Sequence, residues 1–203
     1  MGESSLQAVS VRVCTPGATR QTDREALLAF VAEVTGADPA STALGRRCPH
    51  CRGTDHGRPW AIADGRPVGV SLSRTDGALA LAVGPAPLGV DVERVTRVAA
   101  APLDASTPGE RVRYGDDQRA RTACWSAKEA VLKRDGRGLR VDPATVDVDL
   151  DVDLDADLDA GTAALDGVRH PLQVHWLDDD LVLAVAAGGV PIDVEDARPG
   201  DRR

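Results

Sequence analysis

The chain has 203 residues, 42% hydrophobic and only 2% aromatic, enough for one domain or two small ones with a core of Ala, Val and Leu. A net charge of -8 without an extended basic patch excludes general nucleic-acid binding, which needs clustered Lys and Arg to displace counterions. No apolar run reaches about 18 residues, so no membrane span is expected. The opening MGESSLQAVSVRV lacks the regions of a signal peptide, which predicts a cytoplasmic protein whose four cysteines are thiols or metal ligands.

In chain order, the alternation of Val9, Val11 and Val13 predicts a first strand over 6–13. Thr22 or Asp23 is expected to cap a helix carrying Leu27, Leu28, Val31 and Val34, stopped by Gly36. Residues 37–69, rich in Gly, Pro, Asp and Arg, read as a long loop. This loop contains CPHCRGTDH, half a zinc ribbon by spacing, in Cys48, His50, Cys51 and His56. Structural zinc usually takes four ligands, and His50 is badly placed inside the cysteine pair. His56, or Cys14 from elsewhere, would have to complete a zinc site at Cys48 and Cys51, so reduced thiols are the preferred reading.

Residues 70–83 read as a hairpin turning at 75–77, and LGVDVERV after it as a strand with Val90 and Val92 on one face and Asp91 and Glu93 on the other. Residues 96–114 look irregular. A helix is expected from Asp116 or Asp117 to a stop at Gly136. Val146, Val148, Leu150, Val152 and Leu154 then alternate with Asp, the period of a strand or hairpin with one solvated face, best placed at a sheet edge. A calcium loop starting at Asp155 fails, because Ala160 takes the glycine position and Asp166 that of the closing glutamate. Residues 172–176 and 181–187 predict two strands joined by a turn at 178–180, and the tail from Pro191 is polar. A helix preceding strands in each half predicts an α+β protein of two pseudo-symmetric subdomains, 1–87 and 88–190, each a small sheet packed with a helix and with the active site between them. The tail, 191–203, is expected to be disordered.

The chain has two lysines, Lys128 and Lys133, against twenty-two arginines, and both fall in WSAKEAVLKRDGRGL. On a helix, Ala120, Ala123, Cys124, Ala127 and Val131 share a face of mainly small residues. Glu129 falls roughly opposite, with Lys133 one turn on and Trp125 one turn before. Trp125 and Leu132 flank Glu129 where a plain solvent face would be polar, so a cleft is expected there. Together Asp91, Glu93 and Glu129 supply hard oxygen ligands of the sort Mg²⁺ takes while binding substrate phosphates.

LGVDVERV followed some thirty residues later by WSAKEAVLKRDGRGL resembles the two signature motifs of the 4'-phosphopantetheinyl transferase superfamily, in its surfactin-synthetase-activating kind. HGRP at 56–59 is similar to that family's Gly-Lys-Pro segment, and SLSRTDGALALAV at 71–83 to its Ser-His-Ser hairpin, so the likeness runs from about residue 22 to 187. It implies two α+β subdomains with coenzyme A bound between them, and transfer of the phosphopantetheine arm to a serine of an apo acyl or peptidyl carrier protein, with release of adenosine 3',5'-bisphosphate. It further implies Mg²⁺ on Asp91, Glu93 and Glu129, Glu129 as base directly or through water, Lys133 at the leaving phosphate, and coenzyme A phosphates near Arg58, Ser73 and Arg74, with Lys128 either binding phosphate or buttressing the site. Arg74 stands where the family usually has histidine; it still forms forked hydrogen bonds to phosphate but does not titrate near neutral pH. That change, and a short segment between the motifs, leave a non-catalytic relative binding coenzyme A or a carrier protein as the alternative. Arg111, Arg113, Arg119 and Arg121 are the expected carrier-facing patch. A monomer would suffice to form the site.

Overall fold

The structure is a computed structural model that describes residues 6–48, 50–85, 87–101, 105–150 and 158–199. Its chain begins with strand β1 (Val9–Cys14) and helix α1 (Arg20–Thr35). The cap of α1 is Thr19, not Thr22 or Asp23: Thr19 and Thr22 bond each other's backbone in a capping box, and Gly36 stops the helix at φ 68° as expected. The supposed loop 37–69 is largely sheet. Strands β2 (Thr42–Arg47) and β3 (Arg58–Ala63) form a hairpin, and β4 (Arg66–Thr75) pairs onward to β5 (Ala78–Gly84). Arg and Gly in β2 hid this strand, because its partly exposed surface lacks the apolar alternation that marks a strand in sequence.

The second half opens with β6 (Gly89–Arg94), and the stretch expected to be irregular holds two short helices, α2 (Val95–Ala100) and α3 (Pro108–Tyr114). Helix α4 (Gln118–Asp135) runs from an Asp117 cap to the left-handed Gly136, as the sequence predicted. Strands β7 (Asp147–Leu150), β8 (Leu158–Leu165), β9 (Val168–Trp176) and β10 (Leu181–Ala186) follow. The aspartate-rich β7 does lie at a sheet edge, while the rest of the predicted alternation, Val152 and Leu154, lies outside the described residues.

The fold is α+β with two sheets, ordered β11-β1-β5-β4-β3-β2 and β6-β10-β9-β8-β7. Strand β11 (Ile192–Asp196) overturns the expectation of a disordered tail: it returns to the first sheet and pairs in parallel with β1. Its polarity fits an edge strand with one open side, which is why it reads as tail.

Three apolar clusters explain the layering. One packs α1 on the first sheet through Leu27, Phe30, Val31, Leu79 and Leu81. A second packs α4 on the other sheet through Ala127, Val131, Val174, Val182 and Ala184. The third joins the two sheets face to face through Val9, Val11, Val13, Val90, Val92, Leu183 and Val185. Because Val90 and Val92 face this middle layer, Asp91 and Glu93 turn to the opposite face of β6, the side covered by α4.

Helix α4 approaches that strand closely at Gly89, where an added Cβ would lie 2.0 Å from the carbonyl oxygen of Ala130 and 2.6 Å from the amide of Arg134. Gly89→Ala is therefore expected to push α4 off β6 and to cost about 1–3 kcal/mol of stability, as overpacking does. Urea unfolding would show this as a lowered midpoint, and an unchanged midpoint would mean the helix can retreat freely.

Candidate active site

Strand β4 runs beside β6 with a hydroxyl at every second position. Ser71 Oγ accepts from the amide of Val90 (3.1 Å), Ser73 Oγ donates to Asp91 Oδ1 (2.6 Å), and Thr75 Oγ1 lies 3.4 Å from Glu93 Oε2. All three hydroxyl residues are buried, so this ladder joins the edges of the two sheets where apolar residues would leave the acids uncompensated. The period-two hydroxyls were visible in SLSRT, but their partners were not.

Asp91 is 3% exposed. Its Oδ1 also takes a hydrogen bond from Lys133 Nζ at 2.6 Å, while its Oδ2 is buried without a partner. Glu93, also buried, is paired at 2.5 Å with Arg97, one turn into α2 and absent from the sequence reading although its i,i+4 spacing from Glu93 is a usable signal. Glu129 completes the group from α4. Its carboxyl is pushed up from 4.5 to about 6, first by burial and then by the charges of Asp91 and Glu93, with Lys133 opposing. Glu129 thus feels the charges of both strand acids, but among the described residues Asp91, Glu93 and Glu129 do not bring one oxygen each within 4.8 Å of the others, so they are neighbours and not a closed metal cage.

Lys133 is partly exposed and donates to Val90 O (3.1 Å) as well as to Asp91. That leaves one of its three N–H groups for the cleft it lines, a space of about 340 Å³. Arg46 and Arg58 enter this cleft from the first sheet, and Arg137 and Arg140 from the chain after α4. Of these, only Arg58 was singled out from sequence. Gly136 and Gly138, both with positive φ, form its floor.

The remaining expected residues fall elsewhere. Ser73 gives its proton to Asp91, so it holds a carboxylate instead of facing a phosphate. Arg74 projects to the other face of β4, where it pairs with the buried Asp23 of α1 at 2.7 Å; it does not line the cleft around Lys133. Of the two roles open to Lys128, its surroundings favour the buttress over the phosphate ligand. It is 1% exposed, paired with Glu110 of α3 at 2.8 Å, and donates to the carbonyls of Ala105 and Pro143. Of the four arginines expected to face a carrier, Arg113 is paired with Asp147 and Arg119 stacks 3.9 Å over Trp176, so those two are tied into the fold.

Two measurements test this arrangement. Lys128→Met would leave Glu110 as a lone buried charge and is expected to cost about 3–5 kcal/mol in urea unfolding; an unaltered midpoint would remove Lys128 from its buttressing role. Glu129 holds its proton to a higher pH when folded, so its contribution to stability is full below pH 4.5 and is lost as the pH rises through about 6. In chelated buffer, Glu129→Gln should therefore gain stability over the unsubstituted protein across that interval, whereas parallel stability curves would show that the burial of Glu129 has no energetic weight.

No curated protein matches the chain. Residues 87–186, which hold Asp91, Glu93, Glu129 and Lys133, match the family model of the 4'-phosphopantetheinyl transferase superfamily.

Proposed function

We propose that this chain transfers the 4'-phosphopantetheine arm of coenzyme A to a serine of an apo acyl or peptidyl carrier protein, as an enzyme of the surfactin-synthetase-activating kind. The observation that carries this reading is a buried aspartate, Asp91, with one oxygen left without a partner and the other bonded to Lys133, which opens into a cationic cleft, while Glu129 lies close enough to feel the charges of both. Adjoining the cleft, Trp60 presents a partly exposed indole beside Arg58 and Arg137, a planar shelf suited to a nucleobase next to phosphate-binding guanidiniums. In this reading residues 1–87 form the coenzyme side and residues 88–190 the acidic side, with β11 tying the second half back onto the first.

Asp91, Glu93 and Glu129 would hold Mg²⁺, which supplies charge neutralisation to the diphosphate of coenzyme A. The carrier serine Oγ attacks the phosphorus that bears the pantetheine arm, and the bond from that phosphorus to the oxygen bridging the diphosphate breaks. Glu129 takes the serine proton. With its carboxyl near 6, it is largely ionised at neutral pH yet basic enough for the task. Lys133 Nζ faces the departing phosphate of adenosine 3',5'-bisphosphate with its remaining donor and stabilises the charge that develops there. Arg46, Arg58, Arg137 and Arg140 orient the nucleotide phosphates, and Arg74 holds α1 through Asp23.

Incubation with coenzyme A, Mg²⁺ and a panel of apo carrier domains should add the mass of one phosphopantetheine arm to one serine, and chelation should stop it. Glu129→Gln and Lys133→Ala should each lower kcat/KM by roughly 100- to 10,000-fold. Coenzyme A binding without transfer to any carrier would favour a non-catalytic relative, and failure to bind coenzyme A would overturn the proposal.

A further inference from the structure

One cluster of ligating side chains takes no part in the reaction above. Cys48 follows β2, and the chain turns through Cys51 and His56 before entering β3 at Arg58. The two sulfurs and a ring nitrogen of His56 all lie within 4.8 Å of one another, and His56 Nε2 is 3.2 Å from Cys51 Sγ. Tetrahedral zinc with ordinary bond lengths separates two sulfurs by about 3.8 Å and a sulfur from a nitrogen by about 3.5 Å. The sulfur pair therefore exceeds that geometry by no more than about 1 Å, and neither sulfur–nitrogen pair exceeds it by more than about 1.3 Å.

The turn is built around the sulfurs. Cys48 N donates to Gly53 O at 2.9 Å and Arg52 N to Cys48 O at 3.0 Å, with Arg52 held at φ 61°. Gly53 N lies 3.4 Å from the Cys51 sulfur. His56 Nδ1 is 2.8 Å from Asp55 Oδ1, an arrangement that fixes Nδ1 as the protonated nitrogen and presents the Nε2 lone pair to Cys51. A carboxylate orienting a histidine toward two thiols is the outer support that zinc sites use, and a chance cluster in a loop would have no need of it.

We infer that Cys48, Cys51 and His56 bind one Zn²⁺, with Asp55 positioning His56, and that this ion staples the connection between β2 and β3. Two thiolates and an imidazole select zinc over the hard cation suited to the three carboxylates, so the two sites would not compete for one metal. Three protein ligands leave the fourth corner to water, consistent with the exposure of Cys51 and His56. Gly57 shows how tightly the loop closes: an added Cβ there would lie 2.5 Å from Cys48 Cα. Cys48, His56 and Gly57 line the same cleft as Arg46, Arg58 and Lys133. On the transferase reading, the staple would fix two phosphate-binding arginines of the first sheet.

Elemental analysis of tag-free protein, purified without added metal or chelator, should find about one zinc per chain. Cys48→Ser, Cys51→Ser and His56→Ala should reduce that content at least tenfold, and Asp55→Asn should weaken zinc affinity by about 10- to 100-fold in a chelator competition. Because a variant that fails to fold would lose metal trivially, circular dichroism accompanies each, and the unsubstituted protein is titrated with Co²⁺. A thiolate-to-cobalt charge-transfer band supports the site. Folded protein that contains no zinc and gives no such band, or one that carries a Cys48–Cys51 disulfide in reducing buffer, overturns it. Zinc content does not depend on transfer, so loss of this inference and loss of the transferase reading are separate results.

Discussion

Asp91 is a carboxylate almost wholly removed from water, and the meeting of the two sheets is organised around compensating it. An unpaired charge in such a place costs several kcal/mol even after the surroundings relax. Here the compensation comes from two other elements at once, the Ser73 hydroxyl of β4 and the Lys133 ammonium of α4, both reaching the acid on β6. None of these contacts forms unless both sheets and α4 are in place. Even then the second carboxylate oxygen is left without a partner. A buried group in that condition is poorly explained as a stabilising feature, since an apolar residue would do better. On the proposed function it would be held ready for a cation.

The same seam reverses the sign of the local field. The chain as a whole is acidic, yet the cleft beside Lys133 is lined by Arg46, Arg58, Arg137 and Arg140. These residues are far apart in sequence, and they meet because the β2–β3 hairpin and the turn after α4 face each other across the junction. A cationic cleft in an acidic protein concentrates a small anion without making the whole surface attract polyanions. On the proposed function that anion is a phosphorylated small molecule.

Legibility of the sequence followed the strength of its local patterns. The helix over Gln118–Asp135 and the strand over Gly89–Arg94 were readable because a capping aspartate, a glycine stop and alternating valines state them plainly. Asp91 and Glu93 could be placed on one face because an extended strand fixes which side chains share a face. Strands β2 and β11 were missed because strands with exposed, polar surfaces carry little period-two signal, and β3 because its exposed face, with Trp60 and Ile62, is as apolar as its buried one. The role of Ser73 was misread for a related reason. Its hydroxyl could serve a phosphate or a carboxylate, and only the position of β6 decides between them.

The two lysines show what helical geometry adds to such a reading. Lys128 and Lys133 are five residues apart, which separates them by about 140° around the helix axis, whereas Glu129 and Lys133, four apart, stay within about 40°. A titratable ammonium at both positions therefore cannot serve one site. Lys128 lies on the face turned to α3 and meets Glu110, whose other carboxylate oxygen accepts from the amide of Val148 in β7. This interior ion pair thereby joins α3, α4 and the edge of the second sheet. Lys133 lies on the face turned to β6 and meets Asp91. The first lysine anchors the helix that presents the second, so the chain's two lysines answer two separate demands on one helix. Both are met by a compact ammonium, which makes several short bonds to carbonyls and a carboxylate within a space too narrow for a planar guanidinium.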